Sequence, residues 1–142
     1  MNSDIMLLNE IYSNAITAIN AISMLLIKLN GGTMFDCLFK EMIEYRKIAD
    51  TAQEMMRELS SFPQKQDMTD KVSLYFSVTL AGGNHSSQHR MAKILINGSA
   101  EGIYDMVGYI NSCTGACEKS RKLAYRLIET EQKNICALNE YL

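Results

Sequence analysis

Apolar residues recur at helical spacing along most of this chain. Leu8, Ile11, Ala15, Ala18, Ile22, Leu25 and Leu29 follow one another in steps of three and four, and Tyr12, Ile19 and Leu26 widen the stripe. Such a seam predicts a first helix over about residues 4–29. Asn30, Gly31 and Gly32 break it, because glycine suits the left-handed backbone that ends helices. Thr33, with Asp36 three residues later, reads as an N-cap. So short a connection predicts an antiparallel neighbour. A second helix over about 34–59 carries Phe35, Leu38, Met42, Tyr45, Ala49, Ala52, Met56 and Leu59 on its seam, and Ser60-Ser61-Phe62-Pro63 ends it.

The next stretch supports two periods. Val72, Leu74, Phe76, Val78 and Leu80 alternate as in a strand, whereas Val72, Tyr75, Phe76 and Thr79 fit one face of a helix. No second segment of strand character is present to pair with it, and a lone strand is not stable. A short helix over about 67–81 is the reading adopted, with a strand that pairs between subunits as the alternative. Gly82-Gly83-Asn84 breaks the pattern, and Ser86 or Ser87 caps a third long helix that reaches about residue 111. Its inner face is Ala92, Leu95, Ile96, Ser99, Gly102, Ile103, Met106 and Ile110. Gly98, Ser99 and Gly102 form a patch poor in side chains. Mid-helix glycine costs about 1 kcal/mol against alanine, so the patch predicts close approach of a neighbouring helix.

The last helix, over about 115–142, places Ala124, Leu127, Glu131, Asn134, Leu138 and Tyr141 on its seam, flanked by Leu123, Ile128 and Ile135. Glu131 and Asn134 therefore face inward between apolar turns, as a buried polar pair that fixes register. About 27 residues separate the second and third long helices, enough for the chain to recross a bundle and set those two parallel. The pattern predicts a single all-α domain over 1–142, with four long helices paired antiparallel and a short extra helix in the crossover.

Composition narrows the function. With 142 residues, 47% hydrophobic and 21% charged, the chain suits one soluble globular domain. The formal net charge of -2 gives no reason to expect a nucleic-acid partner. The uncharged run from Ile11 to Ile27 holds Ser13, Asn14, Thr17, Asn20 and Ser23, which makes it a bundle helix rather than a membrane span. Asp4 and Glu10 early in the chain argue against a signal peptide, so a cytoplasmic location is expected. The four cysteines are then free thiols in a reducing compartment.

Glu131 and Asn134 have the spacing of the Glu-x-x-His pair that holds metal in helical bundles. Together with the paired long helices and the long crossover, this resembles the ferritin-like superfamily. The stretches "MAKILINGSAEGI" and "TEQKNICALNEYL" also resemble small bundle proteins of Firmicutes related to its spore-coat branch. Carried over residue by residue, the metal motif is incomplete. Glu131 matches the Glu, and Asn134 replaces the His. On the second helix Glu44 matches, but Lys47 stands where His belongs. Glu101 lies beside the third seam, and the first seam has no acid. The resemblance thus implies a degenerate site of Glu44, Glu101 and Glu131, with Glu41 as substitute, for iron, manganese or zinc. It lacks histidine, and a nearby lysine opposes a cation.

Other constellations are weaker. His85 and His89 are four apart, but the glycines before them leave His85 outside the helix. Cys113 and Cys117 lie a helix length of about 36 Å from His89, so no joint zinc site is expected. Cys113 and Cys117 flank a turn as candidate redox thiols, and the field at a helix start lowers a thiol pKa. The plainer reading is two small packing residues. No nucleophile elbow, phosphate loop or dinucleotide fingerprint is present. The expectation is a non-enzymatic bundle, without cofactor, that self-associates or binds a protein partner. The alternative is a metal-binding ferritin-like protein using inward carboxylates.

Overall fold

A computed structural model describes residues 2–64 and 87–142. Four long helices make up the fold: α1 (Ser3–Leu26), α2 (Thr33–Glu58), α3 (Ser87–Ser112) and α4 (Glu118–Leu138), with a 3-10 turn at Asn139–Tyr141. Among the described residues the secondary structure is all helical and contains no strand. The expected short helix over 67–81, its strand alternative and His85 lie outside the described residues.

The most extensive contacts join α1 to α2 and α3 to α4. α1 also packs on α3 and α4, and α2 packs on α4. Polar bonds fix the directions. The Gln64 N–H, just past α2, donates to Asn9 Oδ1 near the start of α1, so α1 and α2 are antiparallel. The Tyr141 hydroxyl, just past α4, donates to Thr33 Oγ1 at the start of α2, so α2 and α4 are antiparallel as well. The Cys117 N–H donates to Asp4 Oδ1 at 2.7 Å, which holds the starts of α4 and α1 together.

One continuous core fills the space between them, and the predicted seams supply most of it, except at the two ends of the second seam: Leu59 is exposed, and half-buried Phe35 stacks outward on Phe39. Leu8, Ile11, Ala15, Ile22 and Leu25 of α1 are buried, as are Leu38, Tyr45, Ala49, Ala52 and Met56 of α2. Ala92, Leu95, Met106 and Ile110 come from α3, and Ala124, Leu127 and Leu138 from α4. Met34, Met55, Met56, Met91 and Met106 are all buried, where their flexible thioethers fill irregular gaps between helices. Truncating one such Leu to Ala costs about 2–5 kcal/mol.

Several helix ends differ from expectation, each for a local reason. α1 stops at Leu26 rather than 29 because Lys28 and Leu29 donate to carbonyls three residues back, which tightens the last turn. Gly32, not Thr33, is the N-cap of α2, and Gly31 and Gly32 turn the chain with φ of +75° and +95°. α2 closes with a Schellman motif: Ser60 N–H donates to Arg57 O and Ser61 N–H to Met56 O. Ser60 takes the left-handed position, φ +55°, that glycine usually fills. α4 begins at Glu118 rather than 115, because Cys117 is the N-cap, with extended backbone (φ -70°, ψ 164°), and its N–H donates to Asp4. Among the described residues no helix is long and apolar enough to cross a membrane.

Candidate functional site

Halfway along the bundle the apolar core is interrupted by a polar cluster drawn from all four helices. Heptad spacing puts Glu131 and Asn134 on the buried side of α4, and Glu131 is 2% exposed. Across from them stands Tyr45 of α2, also 2% exposed. Its hydroxyl donates to Glu131 Oε2 at 3.0 Å. The Asn134 amide donates to the same hydroxyl oxygen at 3.0 Å. The phenol therefore gives one hydrogen bond and takes another, so its donor and its acceptor are both used. The expected pair is buried, and Tyr45 bridges it. The buried Ser99 hydroxyl of α3 is within hydrogen-bonding reach of both Glu131 and Tyr45.

Gly102 explains how α3 comes so near. A Cβ on Gly102 would lie 2.8 Å from Glu131 Oε1 and 3.0 Å from Asn14 Oδ1. Only a glycine leaves room for the carboxyl there. Asn14 of α1 fills the remaining space, and its amide donates to the Gly102 carbonyl at 3.1 Å. The predicted close approach thus holds at Gly102. At Gly98 it does not, because nothing lies within 4 Å of a Cβ built there.

A second acid lies on the same side of α2. Glu41 is 7% exposed, and Cys37 Sγ donates to its Oε1 at 3.6 Å. Burial pushes the Glu41 carboxyl up to about 7, and the charge of Glu131 adds to the rise, while the Cys37 bond opposes it. Burial likewise pushes Glu131 up to about 7, against the lowering effect of Ser99 and Tyr45. No cation is among the groups that set either one. Tyr45 is held well above the ordinary phenol range by burial and by the Glu131 charge. Cys37 is pushed up to about 11 by burial and by Glu41.

The other acids of the expected metal set are elsewhere. Glu44 is half-exposed, 3.1 Å from Lys47 and 3.8 Å from Arg126. Glu44 is the residue next to buried Tyr45, and one residue along a helix is about 100° round it, which turns Glu44 away from the core. Glu101 is exposed on the outer side of α3. Glu44, Glu101 and Glu131 are therefore not brought together, and the inward acid of α2 is Glu41. Among the described residues no three His, Cys, Asp or Glu side chains gather around one point. The donors present do not fit a carboxylate-bridged metal pair: Glu131 is engaged by Tyr45, and two desolvated carboxyls with no histidine are too few ligands.

The candidate thiols are separated by environment. All four cysteines are free. Cys113 is 1% exposed, and burial followed by the charge of Glu10 raises its thiol. Cys117 is exposed, with its Sγ 3.4 Å from Ser120 Oγ.

Tyr45, Ser99 and Asn14 complete the cluster and were not singled out by spacing alone. Tyr45 and Ser99 do lie on predicted seams. A buried hydroxyl at the level of a seam glutamate is the signal that pairs them with Glu131. Against known proteins, the chain matches no family model and no curated sequence.

Proposed function

We propose that this chain is a non-catalytic helical bundle that works by protein–protein contact. The observation that carries the reading is an apolar stripe on the outer face of α2. Phe39 is 45% and Ile43 41% exposed, and the Phe35 ring stacks on Phe39 with centroids 6.3 Å apart. Residues at i, i+4 and i+8 share one helix face. Exposed aromatic side chains grouped in that way are what protein interfaces use as anchors.

The interior supports the same reading. The cluster around Tyr45 is closed by its own hydrogen bonds, with Glu131, Asn134, Ser99 and Asn14 each engaged. Such a network specifies register and packing, and the Tyr45 hydroxyl has its donor and an acceptor lone pair used inside it. Pairing of α1 with α2 and of α3 with α4, with Glu131 inward on α4, supports descent from a ferritin-like bundle whose metal positions have become structural.

A photo-reactive phenylalanine analogue placed at position 39, in cells that express the chain, tests this. A discrete protein adduct is expected at position 39 and none at exposed Lys122. No adduct at position 39 would sink the reading.

A further inference from the structure

We infer that the α2 stripe is covered by a second copy of this chain, in an antiparallel α2–α2 contact about a two-fold axis between Phe39 and Ile43. This rests on the reading above and names the partner. A two-fold contact must match one surface to itself, and the charges of α2 meet that demand in this register. With Phe39 of each copy on the partner's Ile43, Asp36 comes beside the partner's Lys47 on one flank. On the other flank Arg46 comes over the partner's Phe35.

Each pairing occurs twice, so the contact gains two opposite-charge pairs and two cation–aromatic pairs around an apolar centre. All the groups needed are available. Asp36, Arg46 and Lys47 are exposed, and the Lys47 side chain is 59% exposed. Its bond to Glu44 is a surface pair, worth little against a new partner. A parallel two-fold arrangement would instead set Lys47 beside the partner's Arg46, a like-charge pair, and leave Asp36 beside the partner's Phe35 with no basic partner. The apolar centre is small, so a weak dimer is expected, with a dissociation constant on the order of micromolar.

Sedimentation velocity over a range of protein concentrations tests this with the full chain, the F39E, D36K and D36K/K47D variants, and circular dichroism as the check on helix content. The expected result is a concentration-dependent dimer that F39E abolishes, that D36K weakens about tenfold, and that D36K/K47D restores. A wild-type chain that stays monomeric at every concentration overturns the second copy as partner. The position-39 cross-link then decides alone whether the stripe meets another protein. A dimer indifferent to F39E overturns this contact and weakens the stripe itself. Failure of D36K/K47D to recover what D36K loses, with helix content intact, overturns the register.

Discussion

The Tyr45 hydroxyl donates to Glu131 Oε2 at 3.0 Å in a part of the bundle where both side chains are 2% exposed. This bond ties α2 to α4 across the core, and Asn134 adds a second bond to the same oxygen. Tyr45→Phe removes only the hydroxyl but leaves Glu131 and Asn134 short of a partner. A loss of about 1–3 kcal/mol is expected in urea unfolding. A variant as stable as wild type would show that the bond adds nothing.

Stability should depend on pH in a definite direction. Burial holds the Glu41 and Glu131 carboxyls up to about 7 in the folded chain, against an ordinary 4.5. Between those values the folded state binds more protons than the unfolded state. The stabilisation is therefore fully present below about 4.5 and is lost as pH rises through about 7. With both carboxyls raised from 4.5 to about 7, unfolding at pH 5 and pH 8 should differ on the order of 5 kcal/mol, with the acid side more stable. Glu131→Gln should remove about half of this dependence, leaving the part due to Glu41, and gain stability at pH 8. Greater stability at pH 8 in the wild type would contradict the assignment.

Two glycines on one helix should respond in opposite ways. Gly102→Ala drives a methyl to within 2.8 Å of Glu131 Oε1, and a loss of about 1–3 kcal/mol is expected despite alanine's higher helix propensity. Gly98→Ala meets nothing within 4 Å and should gain about 1 kcal/mol. Melting temperatures of the two variants, taken side by side, decide the point.

The thiols should divide by exposure. Cys117 and Cys136 are exposed, Cys113 is buried, and Cys37 is pushed up to about 11 beside Glu41. Brief treatment with a mild alkylating reagent, read by mass spectrometry, should label Cys117 and Cys136 first. Early labelling of Cys113 would contradict its burial and revive a paired role with Cys117.

What could be read in advance follows from the range of the interactions involved. On α4, Leu127, Glu131, Asn134 and Leu138 are all buried, because spacing along one helix fixes which side faces in. On α2 the inward acid is Glu41, one turn before Tyr45, and not Glu44. Shared spacing with Tyr45 could have shown this. The metal motif points instead to Glu44, which lies about 100° round the helix from Tyr45 and pairs with Lys47 and Arg126 at the surface. The start of α4 was out of reach, since the acceptor for the Cys117 N–H is Asp4, 113 residues away. The hydroxyl between Glu131 and Asn134 has the same origin: Tyr45 comes from a different helix pair, and nothing local specifies it.

That separation bears on the order of assembly. The Tyr45–Glu131 bond spans 86 residues and the Asn134–Tyr45 bond 89, whereas the α1–α2 and α3–α4 contacts are made between chain neighbours. Each hairpin can form early from nearby contacts. The phenol meets its carboxyl only once the two hairpins have docked in the right alignment. A docking offset by one turn would take the Tyr45 donor away from Glu131 and leave only Ser99, from its own hairpin, in reach. The cluster thus acts late, rejecting misaligned halves of the molecule more than it speeds the formation of either one.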